Sequence, residues 1–426
     1  MTERLPGFST LSIHAGAQPD PTTGARATPI YQTTSFVFND ADHAASLFGL
    51  QAFGNIYTRI GNPTNAVLEE RVAALEGGTA ALAVASGHAA QLVTFHALLQ
   101  PGDEFIAAWR LYGGSINQFN HSFKNFGWNV VWADTDDVST FEKALTPKTK
   151  AIFIESIANP GGTVTDIEAI AAIARKAGVP LIVDNTLASP YLVKPIDHGA
   201  DIVLHSATKF LGGHGNSIGG IIVDAGTFDW SRDGRYPVLS EPRPEYHGIK
   251  LQETFGNFAF AIAARVIGLR DLGPALSPFN AFLILTGIET LGLRVQRHSD
   301  NAKAVAEWLS AHPAVAWVSY AGLPGDRYHN LARKYSPKGA GAVFTFGLKG
   351  GYDAGINLVS NVKLFSHLAN VGDTRSLIIH PASTTHSQLS DAQKAQAGAG
   401  VDVVRLSVGL EDKEDLIADL DQALKA

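Results

Sequence analysis

Short apolar strands that alternate with helical patterns, from about residue 65 to residue 223, constrain the fold of this chain more than any other feature. Ala81–Ala85, Pro180–Val183 and Ile202–Leu204 are such strands, and Ala89–Leu99 is one of the helical patterns between them. This alternation is typical of a mostly parallel sheet with helices on both faces. The sequence therefore predicts an α/β fold, in which ligands bind beyond the carboxyl ends of the strands.

Lys209 closely follows the third of these strands and precedes a glycine-rich turn at Gly212 and Gly213. A lone lysine at a strand end is usually a solvated surface group. A partly desolvated lysine has a lowered pKa, however, and its amine is a nucleophile toward carbonyl groups. The hydroxyls of Ser206 and Thr208 and the amides of the turn are suited to hold a phosphate. A nucleophilic lysine beside a phosphate site is the basic requirement of an enzyme that uses pyridoxal phosphate (PLP).

Two other strand ends favour such a site. Asp184 closes an apolar strand, so its carboxylate should face the same crevice as Lys209. A PLP enzyme needs a carboxylate there to keep the pyridine nitrogen protonated, although a strand-end aspartate on its own is often a helix cap or a turn former. Ser86, Gly87 and His88 separate a strand from a helix, and the amides at a helix start form an anion site.

Eight motifs spread over most of the chain together resemble those of a known family. They are Tyr57–Thr64, Leu75–Gly78, Ala85–Gly87, Leu111–Gly114, Glu155–Ser156 with Asn159–Pro160, Val183–Thr186, Ser206–Lys209 and Val404–Gly409. By these motifs the chain resembles the Cys/Met-metabolism family of PLP-dependent enzymes, fold type I, in the cystathionine γ-synthase group. The resemblance implies a large domain with a mostly parallel seven-stranded sheet between helices, and a smaller C-terminal α+β domain.

The same resemblance implies the site residues. Lys209 would bind PLP covalently and move protons, Asp184 would pair with the pyridine nitrogen, and Tyr112 would stack on the ring and act as acid or base. The other cofactor-binding residues would be Ser86, Gly87, His88, Asn159, Thr186, Ser206 and Thr208, with Tyr57 and Arg59 from a neighbouring subunit. The residues that bind the substrate would be Arg405, which clamps its carboxylate, Asn159 and Tyr57.

Composition excludes several classes of protein. The 426 residues carry a net charge of −7 and include no cysteine, which argues against a basic nucleic-acid footprint, disulfides and thiolate metal ligands. No apolar run reaches membrane-spanning length, and residues 1–7 lack the apolar core of a secretory signal. We therefore expect a cytoplasmic enzyme that acts on small molecules and has neither nucleic-acid nor membrane partners.

The organisation of the chain predicts three parts. Residues 1–60 are expected to form an arm lent to a neighbouring subunit, which implies at least a dimer, and the family suggests a tetramer. Residues 61–278 are expected to form the PLP-binding domain, with an aromatic and proline-rich insert at about 225–257, and residues 279–426 the small domain. Three helices are predicted at Val67–Leu75, Phe279–Leu309 and Glu414–Leu424.

Two patterns suggest other chemistry. Gly215–Gly219 matches the G-x-S-x-G elbow of serine hydrolases, but that elbow needs a helix after the serine, and here Ile218–Val223 predicts a strand. His205 and His214 stand near glycines, and we expect local hydrogen bonds for both, without a carboxylate partner and without a metal.

Within the family, two features favour the O-acetylhomoserine sulfhydrylase subgroup. Arg270–Phe282 resembles that subgroup, and the shorter cystathionine enzymes generally lack the insert. Gly114 occupies a position where methionine γ-lyases usually carry a cysteine. The expected substrates are O-acetylhomoserine with sulfide or methanethiol, and the expected products are homocysteine or methionine with acetate. Cystathionine γ-synthase, O-succinylhomoserine sulfhydrylase and a non-catalytic scaffold are the alternatives.

Overall fold

Two β-sheets and a short hairpin organise the structure, a computed structural model that describes residues 6–385, 387, 390, 394 and 398–426. The first five residues of the predicted arm, which belong to the segment considered as a secretory signal, lie outside that range. The strands are β1 (Ala80–Val84), β2 (Glu104–Ala108), β3 (Asn129–Ala133), β4 (Thr149–Glu155), β5 (Ile157–Ala158), β6 (Thr163–Val164), β7 (Leu181–Asp184), β8 (Ile202–Ser206), β9 (Gly220–Asp224), β10 (Val315–Ser319), β11 (Val343–Leu348), β12 (Ser366–His367), β13 (Leu377–Ile379) and β14 (Val403–Ser407).

The larger sheet has seven strands in the order β1-β9-β8-β7-β4-β2-β3. Parallel pairing joins β8, β7, β4, β2 and β3, whereas β9 runs antiparallel to both of its neighbours, β1 and β8. The central strands are buried on both faces, as in a sheet that helices cover on both sides. The predicted α/β class with a mostly parallel seven-stranded sheet is confirmed.

Helices pack against both sheets. Their bounds are α1 (Phe8–His14), α2 (Ala41–Phe48), α3 (Pro63–Glu76), α4 (Gly87–Leu98), α5 (Gly113–Asn117), α6 (Ser139–Lys143), α7 (Ile167–Ala177), α8 (Ser189–Leu192), α9 (Pro237–Ser240), α10 (Leu251–Phe255), α11 (Ala259–Ala263), α12 (Arg270–Leu272), α13 (Pro278–Glu289), α14 (Leu291–Ala311), α15 (His329–Tyr335), α16 (Gly351–Asn361) and α17 (Lys413–Leu424). Within the described ranges, no helix combines the length and the apolar character that crossing a membrane requires.

Local capping explains where α3 begins and ends. It starts at Pro63 rather than at the predicted Val67, because the Asn62 side chain accepts the N–H of Thr64 at 2.9 Å and proline suits the first helical position. It ends where Gly77 adopts a left-handed conformation, with φ of 82°. The glycine stop was predicted from the sequence, whereas the earlier start was not.

One predicted helix is divided in two. The pattern from Phe279 to Leu309 forms α13 and α14, and Thr290 between them has φ of −109° and ψ of 12°. Arg294 of α14 donates to the carbonyl oxygen of Gly287 at 2.7 Å and to that of Phe210 at 3.0 Å. The guanidinium of Arg294 therefore satisfies a backbone carbonyl near the end of α13. It also links the α13–α14 pair to the segment that follows Lys209.

The smaller sheet has five strands in the order β10-β11-β14-β13-β12. Its pairs are antiparallel except β12 with β13. The helix α17, predicted at nearly the same bounds, packs beside it against α14 and α16. This sheet supports the predicted small α+β domain, while the boundaries at residues 60 and 278 stay predictions.

Aromatic side chains fix the predicted insert to the body of the protein. Trp230 is buried and stacks on Phe260, with 5.3 Å between the ring centroids. The hydroxyl of Tyr236 donates to the carbonyl oxygen of Lys150 at 2.9 Å. The insert is therefore packed against the large sheet.

A buried polar network joins the carboxyl ends of three neighbouring strands. Glu76, at the end of α3, and His205, on β8, are both fully buried, and Nε2 of His205 lies 2.5 Å from Oε1 of Glu76. The same oxygen accepts from the side-chain amide of Asn185 at 2.8 Å, and Ser156 donates to Asn185 at 2.7 Å. The expectation that His205 lacks a carboxylate partner is wrong, because that partner stands far away in the chain.

Replacing Glu76 with Ala should destabilise the protein strongly. The change leaves His205 and the amide of Asn185 buried without their acceptor, and each buried donor left unsatisfied costs about 1 to 3 kcal/mol. The measurement is the urea midpoint of unfolding at fixed protein concentration. Glu70, which is exposed on the same helix, gives the control Glu70→Ala, whose effect should stay within about 0.5 kcal/mol. Equal midpoints for the two variants would contradict this account of the network.

Candidate active site

A cavity of about 290 Å³ lies at the carboxyl edge of the large sheet, where β4, β7 and β8 end. It brings together most of the site residues that the sequence predicted. Those that line it are Ser86, Gly87, His88, Tyr112, Asn159, Asp184, Thr186, Ser206, Thr208, Lys209 and Arg405. The other lining residues include Gln91, Ser115, Glu155, Leu187, Ile218, Asn370 and Thr385, which were not predicted as site residues.

The start of α4 forms one wall of the cavity. Ser86 caps the helix, and its Oγ accepts the N–H of Ala89 at 3.1 Å. Gly87 is needed beside it, because a Cβ there would lie 2.9 Å from the Cβ of Ser206. A Cβ at Gly220 would similarly lie 2.0 Å from the carbonyl oxygen of Ser86. Two glycines therefore let a helix N-terminus, which favours anions, approach the end of β8 and the start of β9.

Hydroxyl groups continue this wall. Thr186 Oγ1 accepts the N–H of Ser206 at 2.8 Å, which joins the turn after β7 to the end of β8. Thr208 Oγ1 accepts the N–H of Gly219 at 3.1 Å. Together with the amides of α4, these groups form a cradle whose chemistry fits a phosphate.

Lys209 extends into the cavity and is held by a residue of the small sheet's connections. Its Nζ donates a short hydrogen bond to Oδ1 of Asn370. Burial, together with the positive charge of Arg405, lowers the pKa of Lys209 to about 8. The expectation of a partly desolvated, nucleophilic lysine therefore agrees with the environment of this amine.

Asp184 and Glu155 end adjacent parallel strands in register. Asp184 Oδ1 accepts the N–H of Thr186 at 3.0 Å, and burial raises its pKa. Burial and the charge of Asp184 raise the pKa of Glu155 to about 8. Glu155 accepts the backbone N–H of Tyr112 at 2.7 Å and that of Asn159 at 3.0 Å. Among the described lining residues two therefore carry a carboxyl group, Asp184, which was predicted, and Glu155, which was not.

Arg405 enters the cavity from β14. It donates to Oδ1 of Asn159 at 3.0 Å and to the carbonyl oxygen of Asn370 at 3.1 Å. Burial lowers its pKa to about 10, which leaves it charged at neutral pH. Its Nε is buried and has no hydrogen-bond partner in the described part of the chain. An unsatisfied buried donor on a cation is suited to bind an anionic group of a ligand.

Tyr112 stands at the mouth of the cavity with 48% of its surface exposed. Its ring meets that of His88 edge to face, with 5.9 Å between centroids. Gly114 lies beneath it, and a Cβ at that position would be 2.4 Å from Cε1 of the tyrosine. The glycine at this position therefore leaves room for the ring.

Tyr57 and Arg59 do not line the cavity of their own chain. Arg59 donates a short hydrogen bond to the carbonyl oxygen of Arg270, and its guanidinium carbon lies 5.5 Å from the centre of the Tyr57 ring. The tyrosine is exposed. A role for these two residues in a neighbouring subunit's cavity stays a prediction.

The G-x-S-x-G pattern borders the cavity, which Ile218 lines, but it does not form a nucleophile elbow. Gly220, directly after the G-x-S-x-G pattern, begins strand β9 and not a helix, as predicted. His214 makes the expected local contact, with Nδ1 2.7 Å from the carbonyl oxygen of Gly212.

Asn370 is the contact residue that sequence reasoning missed most clearly. It bonds Lys209 through its side chain and Arg405 through its backbone, although it lies 161 residues from the lysine. Gly372 is the one local signal, because a Cβ there would lie 2.8 Å from the backbone nitrogen of Phe210. That glycine permits the close approach that brings Asn370 to the amine.

These residues fit PLP. The amine of Lys209 suits its aldehyde, the carboxylate of Asp184 suits a protonated ring nitrogen, and the cradle at Ser86 and Gly87 suits its phosphate. The unsatisfied Nε of Arg405 remains for a further anionic group. The aldehyde, the ring nitrogen and the phosphate of the cofactor therefore each have a complementary residue in one cavity.

Capture of PLP by the apoprotein should depend on pH through Lys209. The neutral amine is the reactive form, and because its pKa is lowered to about 8 the capture rate should rise about tenfold per pH unit below pH 8 and level off above it. Stopped-flow absorbance across this range measures the rate, with Nα-acetyl-lysine amide as the control for titration of PLP itself. A rate that keeps rising to about pH 10, as for an ordinary lysine, would show that the amine is not desolvated.

Comparison with known proteins agrees with this geometry. Residues 9–425 match the profile of the Cys/Met metabolism PLP-dependent enzymes. An O-acetyl-L-homoserine sulfhydrylase of Leptospira meyeri is 52% identical, with 98% of this chain and 96% of that protein covered. An O-acetyl-L-homoserine sulfhydrylase of Thermus thermophilus is 55% identical, with 98% and 99% covered. A homocysteine synthase of Schizosaccharomyces pombe is 50% identical, with 98% of both covered.

Solved structures give the same result. A Campylobacter jejuni chain described as a candidate O-acetylhomoserine (thiol)-lyase, which carries a pyridoxyl-lysine phosphate, is 41% identical with a TM-score of 0.96, and 99% of this chain and 100% of that chain are covered. The metB product of Corynebacterium glutamicum is 36% identical with a TM-score of 0.83, and 99% and 98% are covered. The chain therefore belongs to the Cys/Met metabolism family of PLP-dependent enzymes, and PLP is its cofactor.

Proposed function

We propose that the protein catalyses a γ-replacement, in which the sulfur of sulfide displaces acetate from O-acetyl-L-homoserine and gives L-homocysteine. With methanethiol as the sulfur donor the product is methionine. Relatives about half identical to this chain over nearly its whole length are named for this sulfhydrylase activity. The observation that carries the proposal is that a lysine amine of lowered pKa and a buried arginine fork share one cavity with the PLP-binding groups.

Arg405 binds the carboxylate of the amino-acid substrate. Its guanidinium is planar and charged, and Asn159 and the backbone of Asn370 hold its terminal nitrogens. A guanidinium fixed in this way retains its free Nε for a carboxylate, which places the α-carbon of the substrate toward Lys209. The arginine therefore provides orientation as well as affinity.

Lys209 moves the protons. Its lowered pKa leaves a useful fraction of neutral amine near neutral pH, and this amine removes the α-proton of the substrate and then transfers a proton at the β-carbon. PLP, when bound, supplies an electron sink for the charge that proton removal leaves on the substrate. Asp184 supports that chemistry as the carboxylate facing the ring nitrogen.

Tyr112 acts at the departing acetate. Its side chain lines the cavity and is about half exposed, so its hydroxyl serves as the acid that assists cleavage of the bond between the γ-carbon and oxygen. The apolar part of the lining, Ile157, Leu187, Ile218 and Val371, limits water around the reacting atoms. Sulfide then bonds to the γ-carbon that acetate has left.

Purified holoenzyme should convert O-acetyl-L-homoserine and sulfide to homocysteine and acetate, and Lys209→Ala should lose that turnover together with the visible absorbance of the lysine-bound cofactor. The matched control is Lys150→Ala, since Lys150 is a partly buried lysine that donates to the carbonyl oxygen of Arg235 outside the cavity. Product analysis by mass spectrometry measures turnover. Normal activity of Lys209→Ala would overturn the role of this lysine.

Parallel reactions separate the alternatives within the family. Cysteine as the better acceptor, with cystathionine as product, would identify a cystathionine γ-synthase, and preference for the succinyl ester would identify an O-succinylhomoserine sulfhydrylase. A purified protein that holds no PLP and turns over neither ester would instead indicate a scaffold.

We also propose that the active sites are shared between subunits of a homo-oligomer, a tetramer built from dimers. The support is that Tyr57 and Arg59 lie outside their own cavity, on an arm whose residues Val37 and Phe53 are 97% and 80% exposed in the isolated chain. Large exposed apolar side chains on such a segment favour contact with another subunit.

Mixing inactive subunits tests this sharing. Lys209→Ala and Arg59→Ala chains should each be impaired alone, and co-expressed hybrids should regain activity, because the intact Arg59 of one chain completes the cavity that holds the other chain's Lys209. If each cavity is complete within one chain, hybrids gain nothing. Size-exclusion chromatography with light scattering gives the subunit number.

A cytoplasmic location is proposed as well, and fractionation of cells that express the protein tests it.

A further inference from the structure

Among the described residues that line the cavity, Glu155 is the buried carboxyl group without a part in the proposed reaction. It ends β4, is 5% exposed, and is the register partner of Asp184 on β7. Burying a carboxyl group beside another is costly, so its retention there needs a physical reason.

Both oxygens of Glu155 are occupied by backbone donors from different loops. Oε1 accepts the N–H of Tyr112 at 2.7 Å, and Oε2 accepts that of Asn159 at 3.0 Å. The first donor belongs to the loop after β2, at the start of α5, and the second to the hairpin formed by β5 and β6. A single side chain therefore bridges two loops that the sheet alone does not hold together.

The side chains of these two donors reach different parts of the site. Tyr112 places its ring at the cavity mouth, where it also meets His88. Asn159 accepts the guanidinium of Arg405 at 3.0 Å. The backbone of Tyr112 is held from its other side too, because its carbonyl oxygen accepts the N–H of Ser115 at 2.9 Å. A shift of Glu155 would thus move both the ring and the arginine clamp.

We propose that Glu155 is a positioning residue, which sets the distance between the Tyr112 ring and the Asn159–Arg405 clamp through its two backbone hydrogen bonds. This inference rests on the proposed function, since it concerns the spacing between the leaving-group end and the carboxylate end of one substrate.

The test uses Glu155→Gln in the holoenzyme. Glutamine keeps the size but offers one acceptor oxygen, so its amide nitrogen must face one of the two backbone N–H donors. Loss of that anchor should lower kcat/KM about tenfold to a hundredfold. It should also change the visible circular dichroism of the resting, PLP-loaded protein, because that signal follows the orientation of groups around the cofactor.

Asp419→Asn is the matched control. Asp419 is 7% exposed and its oxygens accept the backbone N–H groups of Lys363, Leu364 and Phe365 at 2.8, 2.9 and 3.0 Å, away from the cavity. The Asp419→Asn variant should lower the midpoint of thermal unfolding about as much as Glu155→Gln does. Its kcat/KM and the dichroism of its cofactor should stay unchanged. Equal effects of both variants on the dichroism would overturn the proposal.

Glu155→Asp separates position from charge. Aspartate keeps the carboxylate but is one methylene too short to reach both donors, so it should fail in the same way as glutamine. Full rescue by aspartate would overturn positioning as the role. The dichroism of the resting protein needs no substrate, so it tests the role of Glu155 independently of turnover. If the wild-type protein does not turn over O-acetyl-L-homoserine, the proposed function fails while the dichroism still tests the positioning role.

Discussion

The carboxylate of Glu76 is the constraint on which the geometry of the cavity depends. It accepts from Asn185 and lies against His205, and Asn185 in turn accepts from Ser156, so one buried group at the end of a helix fixes the termini of β4, β7 and β8. Those termini carry Glu155, Asp184 and the segment that leads to Lys209. Parallel strands alone would set their spacing but leave the turns after them free. The network removes that freedom through residues that do not themselves line the cavity.

Burial acts on the charged groups of the cavity in a consistent way. It lowers the pKa of Lys209 and of Arg405 and raises that of Asp184 and of Glu155. The site therefore holds fewer charges near neutral pH than its residues suggest, and those that remain interact strongly because little water screens them. Near neutral pH a fraction of the Lys209 amine is neutral while Arg405 stays charged, which reduces the repulsion between the two groups. The same environment that makes the lysine reactive also makes the arginine selective for an anion.

Whether a contact of the fold or of the cavity could be predicted from the sequence depended on how far apart its two residues lie along the chain. Lys209 and Asp184 could be placed because each follows an apolar strand, and strand order brings such ends together. Asn370 could not be placed, since it reaches the lysine from a connection of the other sheet, 161 residues away. The partner of His205 was missed for the same reason, as Glu76 lies 129 residues earlier. The break at Thr290 was missed because the hydrophobic pattern continues through it, and only the tertiary contacts of Arg294 explain it.

The missing side chain beneath Tyr112 has a consequence for related sequences. Any residue other than glycine at position 114 would place its Cβ within 2.4 Å of the tyrosine ring in this arrangement. A relative with cysteine there must seat the ring elsewhere, by turning the side chain or by shifting the loop. The glycine at this position is thus what allows the ring of Tyr112 to rest where it does in this chain.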